Sequence, residues 1–259
     1  MHLGLAVSGG KDSLTMAYIL WKLSKKYPAT KLSAIIIDEG IKGYRDESIK
    51  YAINLLKRLS IKYKIVSFRE YFGFTLDELV RNYKVDIPCT YCGAFRRRLI
   101  EYVGRDLNVD LILTGHNAND VAETFLLNII QGNYKHIIYD LDVKGLLIPR
   151  VYPLKYLPES EIVLYAYLNN IEYFDKPCPY ARFALRREVR NFINRLERKH
   201  PGMIYNLISL AEKLKTGKKL EVSRCKICGY PTAREICKVC ELLTQLSSLI
   251  HRDLKTVGH

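Results

Sequence analysis

The chain contains no uninterrupted apolar run near the ~20 residues that a membrane-spanning helix needs, so its 259 residues predict no membrane partner. Its N-terminus also lacks the basic segment followed by an apolar stretch that marks a secretory leader, and a cytoplasmic protein is expected. Low-complexity segments are missing, and nothing repeats apart from a pair of CxxC knuckles near the C-terminus. Acidic residues are in short supply: 27 Asp+Glu stand against 41 Lys+Arg, a formal net charge of +14. A basic excess of that size points to a polyanionic partner, nucleic acid first. Without a leader, the seven cysteines read as metal ligands or catalytic thiols rather than disulfides. The remainder is ordinary for a globular chain, 48% hydrophobic and 26% charged, long enough for one large domain or two smaller ones.

The Walker pattern G-x-x-x-x-G-K-[ST] is absent as well. What stands near the N-terminus is Ser8-Gly9-Gly10-Lys11-Asp12-Ser13, preceded by an apolar run over residues 3–7 and followed by Leu14, Ala17, Tyr18 and Trp21 at helical spacing. Strand, glycine-rich turn and helix N-terminus make an anion site, because orphan N–H groups and the positive end of the helix dipole converge there. Gly9 and Gly10 permit close backbone approach, Lys11 adds a charge, and Ser8 and Ser13 add hydroxyls. The six residues resemble the pyrophosphatase loop, or PP-loop, of adenylating enzymes that release pyrophosphate from ATP.

Further along, strands are expected at 32–38, 63–68, 110–115 and 146–151, and helices at 46–59, 75–83, 92–103 and 119–130. This alternation predicts an α/β fold with a doubly wound parallel sheet whose ligands sit at the carboxyl ends of the strands. Helices at about 158–170, 184–199 and 202–215 follow, then a basic linker over 213–219. The expected division is a PP-loop domain over 1–156, a helical extension over 157–220 carrying Cys178, and a cysteine module over 221–243 with a helical tail over 244–259.

Cys225-x-x-Cys228 and Cys237-x-x-Cys240 bring two pairs of thiolates onto one tetrahedron, a spacing that predicts a structural Zn2+ site; iron or a redox dithiol is the alternative. Cys89-Thr-Tyr-Cys92 opens the helix bearing Arg96, Arg97 and Arg98, where a helix N-terminus lowers thiol pKa. Cys178 lies between two prolines. These three thiols read either as one converging site for an iron–sulfur cluster, as two structural thiols plus a buried one, or as a disulfide or persulfide relay. Thr114-Gly115-His116-Asn117 follows the fourth strand, at the sheet edge where the PP-loop also lies. Gly115 admits a nucleotide, and Asp120 is either a Mg2+ ligand or a first-turn helix carboxylate. His116 reads as a helix-entry histidine, and Arg96–Arg98 as a solvated face or a path for an RNA backbone.

Taken together, Ala6 to Ser13, Gly40-Ile-x-Gly-Tyr44, Cys89-x-x-Cys92-Gly93, Thr114 to Asn117 with Asp120, Cys178-Pro-Tyr-Ala181 and the four C-terminal cysteines resemble, in order, the tRNA 2-thiolation enzymes of the TtuA/NcsA type. The resemblance implies ATP bound at Ala6, Val7, Ser8, Gly9, Gly10, Lys11, Asp12 and Ser13, near Ile36, Gly115 and Asp120, with Mg2+. It implies adenylation of a tRNA uridine at C2, then displacement of AMP by sulfur carried as a thiocarboxylate on a ubiquitin-like protein. It also implies Cys89, Cys92 and Cys178 as ligands of a [4Fe-4S] cluster, Arg96 and Asp120 as catalytic groups, and a homodimer. Three departures stand out. The first strand is expected from about Leu3, directly after Met1 and His2, which leaves no room here for the family's N-terminal zinc finger: either the true start lies upstream or this branch has lost the finger. Asn119 replaces a carboxylate, and Arg96 replaces a lysine, preserving charge but not proton transfer. Other PP-loop ligases, such as lysidine synthetases, and a non-catalytic RNA-binding homologue are the competing readings. A T-loop uridine and the wobble uridine are equally compatible with these residues.

Overall fold

A computed structural model describes every residue except 84, 86, 143, 144, 184 and 257–259. The chain opens with β1 (His2–Ala6), α1 (Lys11–Ser24), β2 (Lys31–Asp38), α2 (Arg45–Arg58) and β3 (Lys62–Ser67). Three helices follow, α3 (Phe68–Phe72), α4 (Leu76–Tyr83) and the long α5 (Pro88–Asp106), before β4 (Leu111–Thr114) and α6 (Ala118–Ile130). Next come α7 (Tyr134–Ile138), β5 (Asp140–Asp142), β6 (Arg150–Val151) and α8 (Glu159–Leu168). A 3-10 turn, Pro179–Phe183, leads to α9 (Leu185–Lys199) and α10 (Met203–Lys213). The last elements are β7 (Lys219–Glu221), β8 (Ser223–Arg224), β9 (Pro231–Thr232) and α11 (Lys238–Thr256).

The expected parallel sheet forms, in the order β3-β2-β1-β4-β6. Strand order reverses direction between β1 and β4, so a crevice opens at their carboxyl ends, where ligands bind in open α/β sheets. Ala34-Ile35-Ile36-Ile37 is buried throughout, as an inner strand covered on both faces must be. Side chains alternate across the sheet. Ile35, Ile37 and Ile112 pack toward α4, α5 and α11, whereas Leu5, Ala34, Ile36 and Leu113 pack toward α1, α2 and α8. A smaller core joins α6, α9 and α10.

Four details depart from the sequence reading. α3 is additional: Ser67 accepts from the Glu70 N–H while Glu70 accepts from the Ser67 N–H, a capping box that nucleates a short turn. α5 starts at Pro88, earlier than expected, because proline suits the first helical turn. The strand expected over 146–151 shrinks to Arg150–Val151, since Glu101 takes the Ile148 N–H at 3.0 Å and Arg105 takes the Leu146 carbonyl. Those backbone groups are held by α5 side chains and not by the ladder. Finally, the stretch expected as a basic linker is tied down: the Thr216 N–H donates to the Ile138 carbonyl at 3.0 Å, and β7 pairs with β5.

Candidate active site

A cleft of about 790 Å3 opens at the β1/β4 crevice. The PP-loop forms one wall. Gly9 has φ +90°, and a Cβ there would meet the Ser48 carbonyl oxygen at 1.9 Å, so only glycine fits. Ser13 closes the loop on itself, donating from Oγ to the Gly10 carbonyl at 3.0 Å and accepting from the Ser8 N–H at 3.1 Å. Gly10 occupies the N-cap of α1 and gives it no side-chain cap, leaving the helix N-terminus facing anions. The second wall follows β4. A Cβ on Gly115 would lie 2.8 Å from the Ser13 nitrogen and 2.9 Å from Asp12 backbone atoms, so this glycine is required for the two loops to touch. Asn117 then ties them, donating from Nδ2 to Asp12 at 2.9 Å.

Lys11 points to Glu159 at 2.6 Å and Asp12 at 3.2 Å. Burial works against its charge, but these two carboxylates outweigh burial and raise its pKa. Asp120 forms a capping box with Asn117 at the start of α6, lies 3.3 Å from Arg190, and lines the cleft. Asn119 is engaged structurally: its Oδ1 accepts from the Glu159 N–H at 3.0 Å and its Nδ2 donates to Asn194 at 3.2 Å. It therefore joins α6, α8 and α9. His116 sits 2.7 Å from Thr114 Oγ1 and edge-on to Tyr152. Burial lowers its pKa, only partly opposed by Asp120.

Ala6, Val7, Ser8, Gly10, Asp12, Ser13, Gly115 and Asp120 all line the cleft. Ile36 does not: its side chain is fully buried in the core behind the sheet, and Ile35 and Ile37 face the cleft instead. The alternation of β2 decides this, leaving only the backbone of Ile36 to act.

Cys89 and Cys92 lie on α5 and Cys178 immediately before the 3-10 turn; none of the three lines the cleft, which Gly93, Arg96 and Arg97 of α5 reach. Cys89 Sγ donates to the Tyr180 carbonyl at 3.7 Å, which carries the Cys178 turn onto α5. Tyr180 in turn donates to Asp77 at 2.6 Å, and the Phe174 N–H reaches the Gly9 carbonyl at 3.0 Å. The segment leading to Cys178 is thus bonded directly to the PP-loop. Contrary to the helix-terminus expectation, all three thiols are raised. Burial is the main cause each time, pushing Cys92 up to about 12 despite Arg96 beside it. Desolvation at these positions exceeds the helix dipole.

Sequence reasoning passed over two groups that bridge the sites. Glu39 and Arg45, both buried, form an ion pair at 2.7 Å. Arg45 also donates to the Ile37 carbonyl at 2.7 Å, to Ser48 at 2.9 Å and to the Ser8 carbonyl of the PP-loop. Glu39 lies 3.6 Å from Arg96, whose guanidinium faces Cys92. Glu39's position at the carboxyl end of a buried strand, and Arg45's at the start of the helix that follows, were the available signals. Arg97, Arg150 and Arg186 also line the cleft, a concentration of charge fitted to polyanions. Arg98 is a correction to the solvated-face reading: it is 5% exposed.

At the C-terminus, Cys225, Cys228, Cys237 and Cys240 have ligand atoms all within 4.8 Å of one another, the one such group among the described residues. The Cys237 N–H points at Cys225 Sγ at 3.3 Å and the Cys240 N–H at Cys237 Sγ at 3.4 Å. Burial disfavours the Cys225 thiolate, yet backbone N–H groups outweigh burial and bring its pKa to about 6. Cys240 is displaced the other way by burial and its neighbouring sulfurs. Burial also opposes the Cys228 thiolate, but hydrogen bonds outweigh it and lower its pKa; two thiols readier to ionise within a tight four-sulfur group make a donor set fitted to a thiophilic ion.

A parallel sheet with a glycine-rich anion loop at its switch point defines a nucleotide-binding α/β protein, and the PP-loop domain profile matches residues 1–197. The chain belongs to the PP-loop family, and within it to the TtuA/NcsA-type thiolation branch. It is 40% identical over 258 residues to a probable sulfurtransferase from Methanocaldococcus jannaschii, covering 96% of this chain and 76% of that one. It is 39% identical over 252 residues to cytoplasmic tRNA 2-thiolation protein 1 of Danio rerio, covering 94% and 74%. The U34-tRNA thiolase NcsA of Methanococcus maripaludis, solved with its [4Fe-4S] cluster, superposes with a TM-score of 0.80 at 36% identity. That match covers 95% of this chain and 81% of the other. No helix among the described residues is long and apolar enough to cross a membrane.

Proposed function

We propose that this protein is an ATP-dependent tRNA thiolase that converts the wobble uridine, U34, to 2-thiouridine. The observation that carries the reading is that the segment leading to Cys178 and the helix bearing Cys89 and Cys92 are both bonded to the PP-loop cleft, through Phe174–Gly9 and Glu39–Arg96. In this reading the PP-loop backbone and Lys11 bind the ATP phosphates, with Lys11 leaving Glu159 to do so. Mg2+ accompanies the phosphates, with Asp12 and Asp120 as the carboxylates at hand. The uridine O2 attacks the α-phosphate, the bond to the β-phosphate oxygen breaks, and pyrophosphate leaves. Activation of this kind is required because a carbonyl oxygen is otherwise a poor leaving group. Sulfur then adds at C2, and the C2–O bond breaks to release AMP. Arg96, Arg97 and Arg150 neutralise the phosphate charge that develops in the cleft. Arg96 acts as a fixed charge, since a guanidinium does not exchange protons at working pH.

Cys89, Cys92 and Cys178 would hold a [4Fe-4S] cluster. All three are soft donors, on segments joined by the Cys89–Tyr180 contact, a donor type that suits it. When bound, a cluster with one iron free of protein ligands supplies a soft site for sulfide. The C-terminal cysteines would hold Zn2+ as a structural ion. A ubiquitin-like thiocarboxylate carrier as sulfur donor and a homodimer complete the proposal. Asn119 does not favour a silent homologue, because its amide is committed to joining three helices.

Anaerobic purification followed by iron, sulfide and zinc analysis tests the reading, with Cys178→Ala as comparison. About four irons and one zinc per chain are expected, the iron lost and the zinc kept in the variant, together with tRNA-dependent ATP turnover. Zinc alone after anaerobic reconstitution would remove the cluster and favour a lysidine-synthetase-like ligase.

A further inference from the structure

Arg98 has no part in the cleft. It leaves the opposite side of α5 and enters the four-cysteine module, donating from Nη2 to Cys237 Sγ at 2.9 Å and from Nη1 to Cys228 Sγ at 3.6 Å. Its guanidinium lies 3.5 Å from the ring centroid of Tyr230, between the two knuckles, and Nη1 also donates to Tyr102 at 3.1 Å. Tyr102 and Tyr230 meet edge to face, closing a cage around it. Arg98 is 5% exposed. A charge is buried at that depth only where something of opposite sign compensates it.

Four thiolates around a divalent cation carry a net charge of −2, and N–H groups directed at the sulfurs draw electron density from them. The two knuckles supply backbone donors to Cys225 and Cys237. Arg98 supplies the cationic donor, from a different element. That element is α5, whose first turn carries Cys89 and Cys92 and whose next turns carry Arg96 and Arg97 into the cleft. The module's apolar residues Val239, Leu242 and Leu246 join the same core as Phe95 and Leu99 of α5, so the bond is set in a packed interface.

We propose that Arg98 is an outer-shell positioning residue of the C-terminal metal site, compensating the tetrathiolate charge and clamping the loaded module to the helix that presents Cys89, Cys92, Arg96 and Arg97. The inference rests on the four-cysteine site holding a tetrahedral divalent ion. It assigns the ion a second consequence besides folding the module: loss of the ion leaves a buried guanidinium among neutral thiols, which loosens α5.

The test uses the full chain loaded with Co2+ in place of Zn2+, comparing the parent with Arg98→Met and Arg98→Lys. Removing an N–H···S bond raises the sulfur donor orbitals, so the thiolate-to-Co2+ charge-transfer band of Arg98→Met moves to lower energy. Its metal affinity, from chelator competition, falls ~10- to 100-fold, the usual cost of losing an outer-shell partner. Arg98→Lys restores part of both, because an ammonium keeps the charge but cannot span two sulfurs. An unchanged band and affinity in Arg98→Met overturn the clamp. If Arg98→Met does not fold, Arg98→Lys decides alone: parental affinity and band position refute the proposal, and intermediate values support it. A parent chain that binds no tetrahedral Co2+ refutes the metal site itself, an outcome distinct from failure of the clamp.

Discussion

Glu39→Gln removes one charge from the pair that supports the PP-loop while keeping the side chain's shape. Both partners are 5% exposed, with Arg45 Nε 2.7 Å from the carboxylate. Deleting one member of a buried pair strands the other and costs about 3–5 kcal/mol. Arg45 retains the Ile37 and Ser8 carbonyls and Ser48 Oγ, so the lower end applies, about 3 kcal/mol. For a chain of this length each kcal/mol moves Tm by about 2–4 °C, which gives a fall of roughly 6–12 °C. Glu47→Gln is the control: its pair with Lys50 is 43% and 64% exposed, so solvent screens it, and Tm should barely move. Calorimetry under anaerobic conditions reads both. Because Arg45 holds the Ser8 carbonyl, ATP affinity by equilibrium dialysis should fall with Glu39→Gln and not with Glu47→Gln. The double variant Glu39→Gln/Arg45→Met should be more stable than the sum of the two single losses, since neither member of the Glu39–Arg45 pair is left buried as a charge without the other. A Glu39→Gln chain that melts with the parent, or strict additivity in the double variant, would refute the argument.

Two further outcomes follow from the same cleft. Gly9→Ala forces a Cβ to 1.9 Å from the Ser48 carbonyl at a φ of +90°, whereas a Cβ on Gly10 meets only Ser8 Oγ at 3.7 Å; Gly9→Ala should lower Tm markedly and Gly10→Ala little, and equal Tm values would show the loop to be plastic. His116, its pKa lowered by burial, binds fewer protons folded than unfolded, so it contributes stability that is full above about pH 6.5 and is lost as pH falls from there through its lower folded pKa. The drop in Tm between about pH 7.5 and 5.5 should therefore be shallower in His116→Asn, with His2, also lowered by burial, keeping some slope. Parallel curves for parent and variant would exclude His116 as a source of acid lability.

How much could be read in advance depended on how far apart the deciding residues lie. The parallel strands were legible because a fully buried strand is apolar throughout, as Ala34 to Ile37 is. The PP-loop and the four-cysteine site were legible because each is local: the loop is six consecutive residues, and the two knuckles lie within one short module. The approach of the Cys178 segment to the helix of Cys89 and Cys92 was not decidable from spacing, since it depends on Tyr180 docking against α5 and Asp77. The shortened β6 escaped for the same kind of reason, with Glu101 and Arg105 claiming its backbone from a helix far away in sequence.

The run Arg96-Arg97-Arg98 shows the limit most clearly. As a string it is a patch of positive charge, and a solvated helix face is the natural reading. On a helix, consecutive side chains diverge by about 100°, and here each meets a different environment. Arg96 meets Glu39 and Cys92, Arg97 faces the cleft near Arg150, and Arg98 is caged by Tyr102, Tyr230 and two thiols. Their separate assignments follow from α5 lying between one face of the sheet and the cysteine module. At position 96 the charge stands between a buried carboxylate and Cys92, a place that a planar cation that never titrates fills permanently.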